Sequence, residues 1–245
     1  MAKIRIVCAV VLSAVLLGLG GMSWFMFSTP TLHRLALAPS LIDATSVAGQ
    51  QLLSRASAKT DYGQLVAEFV PQSRRGFCGV ATSVAVINAS SHPQPRLTQK
   101  TLFTAKASAL KGELAVTFSG MTLDQMAALI AAHGLSVKTM HAAQSSLESF
   151  RAAAQRILAE PHAFLVINYD RKMLEQHGAG HISPVAAYDA ETDAVLVLDV
   201  AASKYPYTWV PLPMLWAAVN TIDPDSGQTR GYLVVSMDAL SKTRY

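Results

Sequence analysis

Two kinds of apolar pattern follow one another along the chain, and their order constrains the fold more than any other feature. The first is helical: a capping box at Thr122 opens an apolar stretch over Leu123–His133 that predicts a helix. The second is a series of compact apolar runs over Ala163–Tyr169, His181–Tyr188 and Ala194–Val200, which indicate buried strands. Helices followed by hairpin-connected strands predict an α+β fold, because a doubly wound sheet would require the two kinds of element to alternate.

The first 35 residues differ from the rest of the chain and predict a signal or anchor segment. Lys3 and Arg5 precede Ile6–Phe27, which is 22 residues long and carries no charge. A membrane span requires ~20 apolar residues, whereas the apolar core of a cleaved signal peptide has ~7–15. We therefore favour an uncleaved anchor in or through the inner membrane over a cleaved, secreted form. The two basic residues place the N-terminus in the cytoplasm, so residues 36–245 are expected in the bacterial periplasm.

Charge and cysteine content exclude several classes of function for residues 36–245. This part of the chain has 17 of the 20 basic residues and all 16 acidic residues, a balance that does not favour binding to nucleic acid. The two cysteines are Cys8, in the apolar segment, and Cys78, so no disulfide within the domain is expected. The sequence contains no CxxC pair and no cluster of histidines and cysteines. We therefore predict no metal site and no tightly bound cofactor.

Cys78 is the first candidate for a reactive group. It lies between Gly76 and Gly79 and directly precedes the apolar run Val80–Ile87, which predicts a buried helix. A thiol at a helix start is shifted toward thiolate by the positive end of the helix dipole and by unpaired backbone N–H groups. Gln72, six residues upstream, carries an amide that can donate to an oxyanion. A lone cysteine can equally be a small buried apolar residue, so the prediction depends on partners elsewhere.

His181 and Asp199 are the partners that the strand pattern offers, since one begins a predicted strand and the other ends the next. With Tyr188 opposite Ala194 across a symmetric turn, Ser183 faces Asp199, and His181 lies one diagonal step away, at ~7–8 Å. A slip of one residue in this register would weaken the pairing. Together with the thiol, the two residues predict a nucleophile, a proton-transferring imidazole and a carboxylate that orients it.

The order Cys, His, Asp, with a Gln before the Cys, resembles that of papain-like cysteine peptidases. A closer resemblance, to the phytochelatin synthase family, runs with gaps from about residue 66 to residue 235. It is carried by QSRRGFCGVATSVAVINA, NYDRKMLEQHGAGHISPVAAYDAETDAVLVLDVAASKYPYTWVPLPMLWAAVNTID and TRGY. The resemblance implies a papain-like fold for residues 36–245, with a helical subdomain followed by an antiparallel sheet subdomain.

The resemblance also implies an activity. The catalytic cysteine of this family attacks glutathione at the cysteinyl–glycine bond, releases glycine and leaves a γ-glutamylcysteinyl thioester. Water then gives γ-glutamylcysteine, or a second glutathione accepts the acyl group and a phytochelatin grows. On this chain, Cys78, His181 and Asp199 match the family triad, and Gln72 matches its oxyanion donor.

Four further positions, Asn168, Arg171, Gly180 and Arg230, match substrate-binding positions of the family, near the acyl group and its free carboxylate. Arginine suits that carboxylate because its planar fork binds bidentately. The sequence after Val235 shows no Cys-rich region like that of the plant enzymes, so we expect deglycination to dominate over chain growth. Cadmium or zinc would act as metal–thiolate forms of glutathione, and short family members imply a homodimer.

Two other functions remain open from the sequence. One is a general papain-like peptidase, which would turn over peptides without a γ-glutamyl group. The other is a membrane-anchored protein that binds thiols or metals without catalysis. Turnover of glutathione that depends on the γ-glutamyl site distinguishes the proposed enzyme from both.

Overall fold

A seven-stranded antiparallel sheet organises the protein in the computed structural model, which describes residues 2–237 apart from the side chains of 2–11 and 14. The strand order is β1-β6-β5-β4-β3-β7-β2. The strands are β1 Ile42–Asp43, β2 Ser136–His141, β3 Ala163–Asp170, β4 Gly180–Asp189, β5 Ala194–Val197, β6 Thr208–Pro211 and β7 Gly231–Ser236. The mixed helical and antiparallel fold predicted from the sequence is confirmed.

The helices surround this sheet. They are α1 Ala2–Phe27, α2 Val47–Arg55, α3 Tyr62–Ala67, α4 Cys78–Ser91, α5 Ala105–Leu110, α6 Glu113–Ser119, α7 Leu123–Ala132, α8 Leu147–Ala159 and α9 Leu212–Val219. Helix α7 begins with the predicted capping box, in which Thr122 and Gln125 satisfy each other's backbone N–H groups. Helix α4 is the central helix, because every residue from Gly79 to Ser90 is buried.

The sheet is covered on both faces. Phe164 and Val166 of β3 belong to a core that includes residues of α4 and α7, whereas Leu165 and Ile167 pack in a second core with α8 and α9. The predicted succession of a helical half and a sheet half is therefore only partly right. A strand that is apolar on both faces needs a helical layer on each side, and the chain returns to helix after the sheet has begun.

The register between β4 and β5 differs from the predicted one at the turn. Asp189, and not Tyr188, lies opposite Ala194. Further along β4, an irregularity between Val185 and Ala187 inserts one extra residue. Such a bulge shifts the pairing by one position and corrects the slip before the strands reach the site.

The N-terminal segment contacts the domain next to the site. His33 N–H donates to the Ser203 carbonyl oxygen at 2.8 Å, and Leu35 N–H donates to the Lys204 carbonyl oxygen at 2.9 Å. The side chains of Lys3, Arg5 and Cys8, used in the anchor prediction, lie outside the described residues. Within the part of the chain that is described, no helix combines the length and apolar character needed to cross a bilayer.

Candidate active site

The start of α4 fixes the position of the Cys78 thiol. Cys78 is the first residue of the helix and is partly exposed, while Gly79–Ser90 are buried beneath it. The flanking glycines permit tight packing: a Cβ on Gly76 would lie 2.6 Å from the Val116 carbonyl oxygen, and one on Gly79 would lie 2.8 Å from Met121 Cε. These glycines therefore serve contacts within the protein as well as access to the thiol.

His181 and Asp199 form a buried hydrogen-bonded pair. The His181 Nε2 and Asp199 Oδ1 atoms are 2.9 Å apart, and Nε2 carries the proton because a carboxylate only accepts. The other ring nitrogen is left for Cys78, which lines the same cavity as His181. The edge of the Tyr169 ring meets the imidazole, with the ring centroids 5.7 Å apart. The structure thus brings together the three residues of the predicted triad.

The bulge in β4 is what aligns this pair. Beyond it, Val185 lies opposite Val197, and Leu198 N–H donates to the Pro184 carbonyl oxygen at 3.0 Å. Continuing this register brings Asp199 opposite Ser183, as the sequence predicted.

The electrostatic surroundings favour a charged thiolate–imidazolium pair. Burial raises the pKa of Cys78, but the hydrogen bond to His181, the charge of that ring and the backbone N–H groups of Ile182 and Gly79 outweigh it, so the pKa is lowered. Burial and the nearby Arg171 cation lower the pKa of His181, but Asp199 and the bond to Cys78 outweigh them, so it is raised. Although burial opposes ionisation, His181 and Arg171 hold the pKa of Asp199 far below its usual range.

These shifts predict the pH dependence of Cys78 alkylation. The rate should rise as pH passes through the pKa of Cys78, which lies below the ~8.5 of a free thiol. Iodoacetamide labelling, followed by mass spectrometry on the Cys78 peptide, measures this. In His181→Gln, the contribution of the ring is lost while burial and the two backbone N–H groups remain, so the midpoint should move to higher pH. A midpoint at the ordinary value in both proteins would contradict the ion pair.

A cavity of about 230 Å³ extends from Cys78 to a buried polar cluster of Asn168, Asp223 and Arg230. Arg230 NH1 donates to Asn168 Oδ1 at 2.8 Å, and Asn168 Nδ2 donates to Asp223 Oδ2 at 3.1 Å. The Nε of Arg230 is buried and has no hydrogen-bond partner among the residues that the structure describes. Gly180 makes room for the guanidinium, since a Cβ there would lie 2.6 Å from Arg230 NH1. Arg230 NH1 also lies 3.6 Å from Asp223 Oδ2, so the cluster holds a cation and an anion that are paired with each other, with the Arg230 Nε donor left over.

A larger cavity, of about 690 Å³, lies on the other side of His181 and is lined by basic side chains. Arg75, Arg171 and Lys204 contribute to it, and residues of the N-terminal segment from Phe25 to Leu35 form one wall. The Arg75 guanidinium lies 3.7 Å from the centroid of the Phe25 ring. This basic wall suits a ligand that carries carboxylates.

Gln72 and Arg171 line the larger cavity but do not point freely into it. The Gln72 amide N–H groups donate to the carbonyl oxygens of Arg74 and Arg75, each at 3.0 Å, and its own Oε1 is buried without a partner in the described chain. Arg171 is 3% exposed and contacts Asp199. Of the eight predicted site residues, these two are therefore committed to the protein itself, whereas Asn168, Gly180 and Arg230 line the smaller cavity beside the triad.

Three residues near the site were not predicted: Asp223, Gln176 and Lys204. Asp223 ends the NTID motif and precedes Pro224, a pattern typical of a turn rather than of a ligand site. Gln176 is 6% exposed and follows the charged turn Arg171–Lys172, where a sequence pattern predicts solvent exposure. No periodicity distinguishes these polar residues from those of an ordinary loop.

Comparisons with known proteins connect this chain to one family. The sequence profile described as phytochelatin synthase matches residues 32–232. Glutathione gamma-glutamylcysteinyltransferase 2 of Arabidopsis thaliana is 32% identical over 85% of this chain and 48% of its own length. The corresponding protein 3 of Lotus japonicus is 32% identical over 86% and 45%. The glutathione gamma-glutamylcysteinyltransferase of Schizosaccharomyces pombe is 29% identical over 71% and 43%.

The chain spans about half the length of the curated relatives it matches. Among solved structures, xylellain, a cysteine protease from Xylella fastidiosa, is a distant match. It has 9% sequence identity and a TM-score of 0.41, over 86% of this chain and 92% of that protein.

Proposed function

Because this chain belongs to the phytochelatin synthase family, we propose that it removes glycine from glutathione through a thioester on Cys78. The observation that carries the proposal is the position of this thiol, beside the His181–Asp199 pair and in the wall of a cavity that also contains Arg230 and Asp223. The proposed fold type is papain-like, in keeping with a cysteine nucleophile at the start of a central helix.

In the proposed first step, the Cys78 thiolate attacks the carbonyl carbon of the cysteinyl–glycine bond. The imidazolium of His181 protonates the departing amine, so glycine leaves and the γ-glutamylcysteinyl group stays on the sulfur. The neutral imidazole then takes a proton from water, which gives γ-glutamylcysteine, or from the amine of a second glutathione, which gives a phytochelatin. Asp199 stabilises the charged ring in both steps.

The oxyanion of the tetrahedral intermediate requires donors. The backbone N–H of Cys78 lies at the N-terminus of α4, where helix N–H groups have no partner within the helix. Gln72 becomes the second donor if its amide rotates away from the carbonyl oxygens of Arg74 and Arg75. In other enzymes, removing one such donor costs ~3–4 kcal/mol of transition-state stabilisation.

The smaller cavity supports the choice of glutathione over ordinary peptides. The γ-glutamyl group of glutathione ends in a free α-carboxylate and a free α-ammonium group, which no internal peptide residue has. Arg230 matches the carboxylate, and Asp223 and Asp225, which also line the cavity, match the ammonium group. A general peptide would have to place an uncharged chain against the buried charges of Arg230 and Asp223, which is unfavourable.

We predict that Arg230→Met weakens the use of glutathione by ~10- to 100-fold in kcat/KM, because a charged hydrogen bond is worth ~1.5–3 kcal/mol. Steady-state kinetics measure the effect. Arg230→Lys keeps the charge but not the fork, and should lose less. Arg151, which pairs with Asp193 at the β4–β5 turn, provides the matched control Arg151→Met, which should turn over glutathione normally. Equal losses in the Arg230→Met and Arg151→Met variants would contradict the assignment.

The proposal is tested by product analysis with three substrates. Glutathione should give glycine and γ-glutamylcysteine, cysteinylglycine should be resistant because it lacks the γ-glutamyl group, and unrelated peptides should be resistant too. Equal cleavage of cysteinylglycine and of general peptides would instead favour the peptidase. Binding of zinc or cadmium without any turnover would favour the non-catalytic protein.

Metal dependence and the balance between hydrolysis and transfer also belong to the proposal. We expect deglycination to dominate, with cadmium or zinc entering as glutathione thiolates that serve as substrate. The described residues contain no group of three or more His, Cys, Asp or Glu side chains arranged to hold an ion. Products longer than glutathione that form only when cadmium is added would support this form of the substrate.

Extracytoplasmic localisation and a homodimer remain proposals based on the sequence. The helix α1 exposes large apolar side chains, including Leu12, Leu17 and Trp24. Fractionation of expressing cells tests the location of the full chain, and light scattering tests its oligomeric state.

A further inference from the structure

Arg171 contacts the catalytic carboxylate directly. One guanidinium nitrogen, NH2, lies 2.8 Å from Asp199 Oδ1 and 2.7 Å from Asp199 Oδ2. The other, NH1, donates to Gln176 Oε1 at 2.7 Å. The arginine, the aspartate and the glutamine are all at least 94% buried. The guanidinium therefore donates one hydrogen bond to the triad and another to the loop that follows β3.

The two oxygens of Asp199 have different surroundings. Oδ1 accepts from His181 Nε2 at 2.9 Å and from Ala201 N–H at 2.8 Å. Oδ2 is buried, and its contact with Arg171 NH2 is the one polar contact that the described chain gives it. Without Arg171, this oxygen would be buried with no partner, and the carboxylate would lose the contact that fixes its rotation.

The loop from Arg171 to Gly180 is built around the arginine. Arg171 N–H donates to the Ala179 carbonyl oxygen at 3.1 Å, and Gln176 N–H donates to the Arg171 carbonyl oxygen at 3.0 Å. Gly178 has φ +127°, and a Cβ there would lie 3.0 Å from Arg171 Cδ. A side chain held by its own loop on one side and by the carboxylate on the other has little freedom to follow a ligand.

We propose that Arg171 is a positioning residue, which holds Asp199 in the rotation that orients His181, and that it does not bind the substrate carboxylate. The inference rests on the proposed function, because it assigns Arg171 a part in the same triad. It replaces the role that the family resemblance implied for this residue, since the hydrogen-bonding fork is already engaged within the protein.

The charge of Arg171 affects the pKa of the groups around it. The titratable groups that face it are Asp199, His181, Cys78, Tyr169, Tyr205 and Lys204. Among these, the arginine cation lowers the pKa of His181, and it also helps to keep Asp199 ionised. Loss of the cation alone would raise the pKa of His181, whereas a carboxylate that rotates away from the ring would lower it, so the hydrogen bond between His181 and Asp199 is the direct measure of positioning.

The kinetic test compares Arg171→Met with Arg171→Lys. For a positioning residue, Arg171→Met should lower kcat ~10²-fold and change the KM for glutathione by less than about threefold, since glutathione itself loses no contact. Arg171→Lys keeps the charge beside Asp199 and should recover part of kcat. A rise in KM with kcat preserved would show that Arg171 binds the substrate and would overturn the inference.

The second test needs no substrate and so stands apart from the proposed function. The Nε2 proton of His181 that is hydrogen-bonded to Asp199 should lose its downfield NMR shift in Arg171→Met, and should keep it in the unmodified protein and in Arg151→Met, which removes an arginine from another Asp pair. If Arg171→Met does not fold, Gln176→Leu, which frees only the NH1 side, and Arg171→Lys supply the kinetic comparison. An unchanged downfield shift of the His181 Nε2 proton in a folded Arg171→Met variant would overturn the inference, even if glutathione proves not to be the substrate.

Discussion

Cys78→Ala is expected to abolish the release of glycine from glutathione, with a loss of ~10⁴-fold or more. The thiolate is the atom that forms the acyl bond, and removal of a nucleophile in other enzymes leaves only the catalysis due to binding and the oxyanion donors. Free glycine, measured against time at saturating glutathione, gives the rate. The structure also predicts that the variant folds, because Cys78 is partly exposed at the first position of α4.

The matched control is Cys78→Ser, which keeps a hydroxyl in the same position. Serine is a far weaker nucleophile beside this imidazole and should be nearly as inactive, while thermal unfolding of both variants stays close to that of the unmodified protein. Glycine release that continues at the original rate in either variant would remove Cys78 from the mechanism.

Asp199→Asn should have the second largest effect, on both activity and stability. An asparagine can donate to His181 Nε2 and so favour the wrong tautomer, which costs ~10⁴-fold in kcat in a related triad. It also leaves the Arg171 cation buried without its counter-ion, and breaking a buried pair in this way costs about 3–5 kcal/mol of unfolding free energy. Urea unfolding and steady-state kinetics measure the two effects separately.

Asp193→Asn is the control for this variant. Asp193 also pairs bidentately with an arginine, with Arg151 Nε and NH2 at 3.0 and 2.9 Å from its oxygens, but both side chains are 30% exposed. Solvent screening limits such a pair to about 0–1 kcal/mol. Similar losses of stability in the two variants would contradict the special burial of the Arg171–Asp199 pair.

The central helix and the partners of the thiol were predictable because their signals are local. The apolar run after Cys78 is too long and too uniform for anything but a buried element, and α4 is that element. His181 and Asp199 lie at the ends of strands that their own composition predicts. The predicted pairing of Ser183 with Asp199 was correct, but the reason given for it was not. The predicted pairing at Ala194 was wrong by one residue, and a β-bulge in β4, which no residue type predicts, restores the register.

The roles of the polar residues were less predictable, because they depend on burial. Arg171 follows Asp170 and precedes Lys172, and a sequence of this kind normally describes a solvated turn. Only the packing of the loop shows that its guanidinium is turned inward to Asp199. Strand β6 was missed for a related reason: Pro206 and Pro211 flank Thr208–Val210, and prolines normally weaken a strand prediction.

The acyl-enzyme tests the account most directly. The full chain is mixed with glutathione, quenched in acid within the first turnovers, and examined by intact-protein and peptide mass spectrometry. A γ-glutamylcysteinyl group is expected in thioester linkage to the Cys78 peptide, with an equal amount of glycine released and no such adduct in Cys78→Ala. Glycine released without any adduct at Cys78, or glutathione left intact by the folded protein, would contradict it.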